Sequence, residues 1–180
     1  MNNKLTNAIN SLGQGDVIAY PTEGVIGLGC DPFNEEAVLR LLAIKQRPVE
    51  KGLILIASDW QQLASLIQPV DASRMDEIKA TGNTTWVFPA TERVPSWIRG
   101  EHSSVAVRVT SHPIAKQLCK QFGGPIVSTS ANAHSEPTVT QLSDLSKTIS
   151  EQVGCLVPGE TGNLNQATPI IDAITRQTLR

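Results

Sequence analysis

The chain has 180 residues, 15 of them Lys or Arg and 17 Asp or Glu, for a formal net charge of −2. That length suits a single domain, 1–180, with a sizeable core, and the charge balance gives no global pull toward nucleic acid or a membrane. The apolar runs are too short to span a bilayer, Met1-Asn2-Asn3-Lys4 does not open a signal-peptide apolar region, and Cys30, Cys119 and Cys155 lack Cys-x-x-Cys spacing, which points to reduced, core-filling thiols in a cytoplasmic protein.

Leu5, Ala8, Ile9 and Leu12 fall at i, i+3, i+4 and i+7, predicting a helix over 5–12 that stops at Gly13. Residues 17–20 read as a strand that runs into the turn-like Pro21-Thr22-Glu23-Gly24. The apolar stretch 25–29 is punctuated by Gly27 and Gly29, as happens where a backbone or ligand comes close. Asn34 is a candidate N-cap for a second helix, with Glu35 and Glu36 in its first turn and Val38, Leu41, Leu42 and Ile44 near one stripe.

Next comes Lys45-Gln46-Arg47-Pro48-Val49-Glu50-Lys51-Gly52, three cations and a glycine ahead of a buried strand over 53–57. Proline pushes its predecessor out of the α region, so the helix must end at or before Arg47. In an extended segment Lys45 and Arg47 project to the same side. Two cations held together repel by roughly 1–4 kcal/mol at ~4 Å, depending on the dielectric, and an anion between them relieves this. The plain alternative is a solvated basic loop.

Ser58 or Asp59 caps a predicted third helix through Leu63, Leu66 and Ile67, ended by Pro69, and 71–80 is weakly helical. Strands are predicted over 84–88 and 104–108. Pro113 opens a helix with Ala115, Leu118, Cys119 and Phe122 on its stripe, stopped by Gly123-Gly124. A short strand over 125–127 enters Ser128-Thr129-Ser130-Ala131-Asn132. Leu142, Leu145 and Ile149 mark a late helix, and 155–157 and 170–173 read as final strands around the loop 159–162. Helices and strands intermix without strict βαβ alternation, so the fold class is α/β (α+β), a single domain with a twisted mixed β-sheet flanked by helices.

Familiar nucleotide fingerprints are missing. There is no G-x-x-x-x-G-K-[ST], and Gly27-Leu28-Gly29-Cys30-Asp31-Pro32 places proline where a dinucleotide turn needs its third glycine. His102, His112 and His134 are singletons without metal-ligand spacing. No G-x-S-x-G elbow occurs. Ser128, Ser130 and Asn132, at i, i+2 and i+4 past a strand, offer small polar groups on one side, which suits a phosphate, a ribose or an amino acid; a capped polar turn is the alternative. Arg108, at the tip of an apolar strand, demands a carboxylate or phosphate partner, and a protein acid would serve.

Together these stretches resemble the YrdC-like family, the threonylcarbamoyl-AMP synthases, in its short single-domain bacterial form. The resemblance rests on Pro21-Thr22-Glu23 with Gly27-Leu28-Gly29, on Lys45-Gln46-Arg47-Pro48, on Ala106-Val107-Arg108 with His112-Pro113, on Ser130-Ala131-Asn132 with Pro137-Thr138, and on Pro158-Gly159-Glu160-Thr161-Gly162 with 168–172. It implies that L-threonine, bicarbonate and ATP give L-threonylcarbamoyladenylate and pyrophosphate, toward N6-threonylcarbamoyladenosine at position 37 of tRNAs reading ANN codons. By family position, Lys45 and Arg47 are catalytic. Arg47, Lys51, Ser104, Ser130, Asn132, Thr138 and Arg180 contact ATP, and Gly24, Arg108, Ser128 and Thr168 hold threonine. Mg2+ is implied with ATP, with no protein side chain identified as its ligand. Implied partners are tRNA or RNA and a downstream threonylcarbamoyl-transferase complex, with no membrane.

Some positions depart from the family pattern. Ala80-Thr81-Gly82-Asn83 stands where many relatives have Trp-Pro-Gly-Pro, Gly24 where longer relatives carry threonine, and Ile56 where they carry histidine. The alternative function is a non-catalytic RNA-binding or ribosome-maturation protein of the same fold; a carbamoyl-transferring or dephosphorylating paralogue is the third.

Overall fold

The computed structural model describes residues 2–133, 136–164 and 168–180. Met1 and His134, named above, lie outside them. Helix α1 (Asn2–Gly13) precedes a hairpin of β1 (Ile18–Pro21) and β2 (Ile26–Gly29). Helix α2 (Glu35–Lys45) is capped by Asn34, whose side chain accepts from the Ala37 N–H, and it ends where Gln46 turns left-handed at φ 51°. Then come β3 (Ile54–Ala57), α3 (Ala72–Ala80), β4 (Thr85–Pro89), α4 (Ser96–Arg99), β5 (Ser104–Val109), α5 (Pro113–Phe122), β6 (Ile126–Ser130), α6 (Lys147–Ser150), β7 (Cys155–Leu156) and β8 (Ile170–Asp172).

The eight strands form one mixed sheet in the order β7-β1-β2-β6-β3-β5-β4-β8. Pairing is parallel at β1–β7, β3–β5 and β4–β8 and antiparallel elsewhere. Strand β6 joins the two halves. It pairs with β3 through Ile126, Val127 and Ser128, and with β2 through Thr129 and Ser130.

Period-two alternation sorts the strand residues onto two faces. Leu28, Leu55, Phe88, Val107 and Val127 point into the larger core with Val38, Leu41 and Leu42 of α2. Ile18, Tyr20, Ile56 and Ile126 point the other way, under Leu12 of α1 and Ala115 and Leu118 of α5. These two helices cover only part of that second face. Ser128 and Ser130 follow Ile126 on it but lie past the helices, where they floor an open cavity with Ile54 and Ala106. Gly29 lies close to the buried Tyr20: a Cβ there would sit 2.5 Å from the Val127 carbonyl and 2.8 Å from the Tyr20 ring.

Three expectations are corrected. The predicted third helix is a 3-10 turn, Trp60–Leu63, because Ile67 is drawn into a bridge with Ala90. The late helix over 142–149 is divided into a 3-10 turn, Leu142–Asp144, and α6, because Leu145 is extended and Ser146 starts a new cap. Ser128 to Ser130 do not follow the strand but continue it, since β2 supplies ladder partners there. Helix α4 carried no sequence expectation.

Candidate functional site

The cavity has a volume of about 460 Å³. Its walls are the Thr22-Glu23-Gly24 turn after β1, the segment from Lys45 to Leu53 after α2, Arg99 at the end of α4, and Thr168, Ile170, Leu179 and Arg180. Residues 172–180 fold back to deliver the last of these. The Leu179 N–H donates to the Ile170 carbonyl at 2.7 Å, and the Ile170 N–H donates to the Arg180 carbonyl at 3.0 Å. Arg74 braces the turn by donating to the Ala173 carbonyl at 2.8 Å while stacking 5.0 Å over the Trp86 ring.

Of the residues singled out from sequence, Gly24, Lys45, Arg47, Lys51, Ser104, Arg108, Ser128, Ser130, Asn132, Thr168 and Arg180 all line this cavity. Thr138 does not: it is exposed, while its neighbour Val139 accepts from the Ile26 N–H and packs on the larger core. Ile56 is sealed under α5 with Cys119 and contributes nothing to the cavity surface.

Lys45 and Arg47 converge, but not by strand alternation. Lys45 is the last residue of α2, and the left-handed Gln46 swings the chain so that both enter the cavity. The Lys45 ammonium donates to the Ser130 carbonyl and, at 2.7 Å, to the Asn132 carbonyl. It therefore ties the end of α2 to the turn after β6 and keeps one N–H free. Burial, and then the neighbouring Arg47 charge, push its pKa down to about 8, while the two carbonyls favour the charged form. Arg47 donates to the Gly52 carbonyl at 2.9 Å and keeps a buried Nε without a partner. Burial, then the Arg180 charge, lower its pKa.

Arg108 is buried and finds the partner its strand-tip position demanded in Glu23, with Nη2 and Oε2 3.2 Å apart. Its Nη1 donates to Thr168 Oγ1 at 2.8 Å and to Thr85 Oγ1 at 3.3 Å. The other Glu23 oxygen accepts from Thr110 Oγ1 at 2.6 Å and from the Ser111 N–H at 3.1 Å. Burial pushes the Glu23 carboxyl up, but the Arg108 charge and these hydrogen bonds outweigh it and hold the group below the ordinary carboxylate range. The sequence marked Pro21-Thr22-Glu23 as a turn and as part of the family resemblance but gave Glu23 no role, and no role was given to Arg99 or His102, which also line the cavity. The need of Arg108 for an acid was a further signal pointing to Glu23.

Among the described residues, six cationic side chains, Lys45, Arg47, Lys51, Arg99, Arg108 and Arg180, thus face a cavity with one acidic side chain, Glu23. Such a surplus suits a polyanion. It does not suit a protein-held divalent metal. Among the described residues no three His, Cys, Asp or Glu side chains are grouped to hold one, and Glu23 is already engaged by Arg108.

A family profile for the Sua5/YciO/YrdC domain, described as "Telomere recombination", matches residues 10–180. Proteins named threonylcarbamoyl-AMP synthase from Coxiella burnetii and Pseudoalteromonas translucida are 47% and 48% identical over 178 residues, covering 98% and 96% of this chain and 96% and 95% of theirs. The structure of P. abyssi Sua5 complexed with L-threonine aligns with a TM-score of 0.89 at 30% identity over 96% of this chain, which spans 51% of that longer chain. E. coli YciO aligns with a TM-score of 0.82 at 25% identity, covering 99% of this chain and 91% of its own.

Proposed function

The chain belongs to the Sua5/YciO/YrdC family, and from that premise we propose how its cavity makes L-threonylcarbamoyladenylate. The protein is a threonylcarbamoyl-AMP synthase, an enzyme that uses ATP and L-threonine, as its relatives at 45–48% identity are named. The observation that carries the mechanism is the convergence of Lys45, Arg47, Arg108, Ser130 and Asn132, distant in sequence, on one cation-rich cavity.

Bicarbonate is the third substrate. The threonine amine and bicarbonate join with loss of water to form a carbamate, whose oxygen attacks the α-phosphorus of ATP as the bond to pyrophosphate breaks. The carbamate is already an anion and needs no base to activate it. The task of the site is to hold anions together and to stabilise charge growing on the phosphates. The free N–H of Lys45 and the side chains of Arg47, Lys51 and Arg180 suit the triphosphate. Ser104, Ser130 and Asn132 suit the rest of the nucleotide. Arg108, bonded to Thr168 and lining the cavity together with Ser128 and Gly24, suits the threonine carboxylate. Mg2+ bound with ATP would neutralise phosphate charge; among the described residues no group of three His, Cys, Asp or Glu side chains could hold it.

We propose that the product feeds the modification of adenosine 37 in tRNAs through a downstream transfer complex, and that the protein works in the cytoplasm. No helix among the described residues is long and apolar enough to cross a membrane. The decisive measurement is pyrophosphate release from ATP with and without threonine and bicarbonate. Release that ignores threonine removes the synthase reading, and RNA affinity that survives Arg108→Ala in a protein without turnover puts the RNA-binding reading in its place.

A further inference from the structure

Arg74, Glu77 and Arg176 do not line the cavity, yet together they hold a segment that does. Residues 170–180 form a narrow hairpin at the edge of the sheet, where β8 meets β4 over only three residue pairs. Its turn is built on Asp172, whose Oδ1 accepts from the Ile174 and Thr175 N–H groups at 2.8 and 2.7 Å. Its returning arm pairs Thr178 with Ile171 and then brings Leu179 and Arg180 to the cavity. So short an edge hairpin frays readily unless something outside it ties it down.

Helix α3 supplies that tie. Arg74, buried and stacked on Trp86, donates from Nε to the Ala173 carbonyl and from Nη1 to Glu77 Oε2 at 2.7 Å. Glu77 in turn accepts from Arg176 Nη2 at 3.1 Å through Oε1 and at 3.0 Å through Oε2. One carboxylate thus joins a cation of α3 to a cation of the hairpin. Arg176 stands at φ 65°, a left-handed conformation that glycine adopts without strain. An arginine in that place makes a contact with Glu77 that glycine could not. An isolated exposed ion pair contributes little, but a network with one buried arginine in it contributes more.

The far arm needs holding, because Arg180 enters among like charges. Burial, then the Arg108 charge, lower its pKa, and its own charge adds to burial in lowering that of Arg47. Its Nη2 donates only to the Thr168 carbonyl, at 3.2 Å, which cancels none of that repulsion. Resting on the synthase reading, in which Arg180 meets the nucleotide, we infer that Arg74 and Glu77 are positioning residues for ATP: their grip on the turn at 172–177 keeps Arg180 in the cavity against the repulsion of Arg47 and Arg108.

Calorimetric titration of the full chain with a non-hydrolysable ATP analogue tests this. Arg180→Ala weakens binding by about tenfold, as for one lost charge-assisted hydrogen bond. Glu77→Gln weakens it by about threefold, although loss of a negative charge would by itself strengthen the binding of an anion. That loss persists in a Lys51→Ala background and vanishes in an Arg180→Ala background, because it acts through Arg180. Arg74→Lys keeps the charge but not the two-point contact, and it loses at least as much as Glu77→Gln. The inference is overturned, with the synthase reading left standing, by Glu77→Gln or Arg74→Lys binding as tightly as the parent, by a Glu77→Gln loss undiminished in Arg180→Ala, or by Arg180→Ala itself binding normally. A parent that does not bind the analogue at all overturns both. If Arg74→Lys does not fold, the cycle with Glu77→Gln, whose side chain is 51% exposed, decides alone.

Discussion

The two ends of the cavity carry charge on different terms. At the buried end the Arg108 guanidinium is met by Glu23 and two threonine hydroxyls. Elsewhere on its wall Lys51 and Arg99 face the cavity, and among the described residues no acidic side chain besides Glu23 lines it. A charge taken out of water needs a partner, whereas solvated charges tolerate a surplus because water and salt screen their repulsion. Uncompensated charge can therefore wait for a polyanion only near the rim. Arg47 and Lys45 lie between these extremes, and each uses backbone carbonyls where a carboxylate would have cancelled its charge.

Removing the buried cation breaks this contrast most severely. Arg108→Ala leaves Glu23 buried and unpaired, and we expect a loss of about 3–5 kcal/mol in chemical denaturation. The double variant Glu23→Ala/Arg108→Ala recovers part of that loss, and a single variant as stable as the parent shows that the pair is not compensating buried charge. Arg47→Ala, between the two ends, lowers turnover by at least about tenfold, equivalent to ~1.4 kcal/mol; activity close to the parent's removes Arg47 from the site.

A gentler change sharpens the comparison through pH. The Lys45 ammonium titrates at about 8, so it is cationic at pH 7 and largely neutral by about pH 9. Affinity for a non-hydrolysable ATP analogue falls several-fold across that window, and Lys45→Arg, which stays charged, flattens the fall. A parent profile flat from pH 7 to 9 contradicts this role for Lys45. The smallest effects belong to the rim: Lys51→Ala and Arg99→Ala each weaken ATP by less than about threefold at ~0.15 M salt and by more at low ionic strength. A loss that does not depend on salt moves either residue into direct contact with the phosphates.

The sequence conveyed local features well and long-range ones poorly. Asn34 announced its cap and Gly123 its stop, because capping is decided within a few residues. The cations at 45, 47 and 51 were legible as a cluster, although the reason that Lys45 and Arg47 share a side was misread, since a left-handed Gln46 has no reliable local signature. Glu23 and Arg108 are far apart in the chain, and their meeting depends on β1 and β5 being held in one sheet through β2, β6 and β3. Period-two alternation put Ser128 and Ser130 on one side, but only the packed helices show that α5 stops covering that side after Ile126. The division of 142–149 into two short turns follows from the extended Leu145, which the apolar spacing of Leu142, Leu145 and Ile149 concealed.

Because β6 is the strand through which the β1–β2 hairpin joins β3, β4 and β5, the cavity cannot exist before the chain has closed long loops. Gly27 must find Ser130 and Ile54 must find Ser128, and such non-local pairings form slowly because loop-closure entropy opposes them. Early folding species can hold α1, α2 and α5 and still have no floor for a ligand. Nucleotide that bridges Lys45 and the turn after β6 stabilises the closed state alone and stabilises it further as its concentration rises. Substrate supply would in that way help decide how long a molecule of this enzyme remains folded.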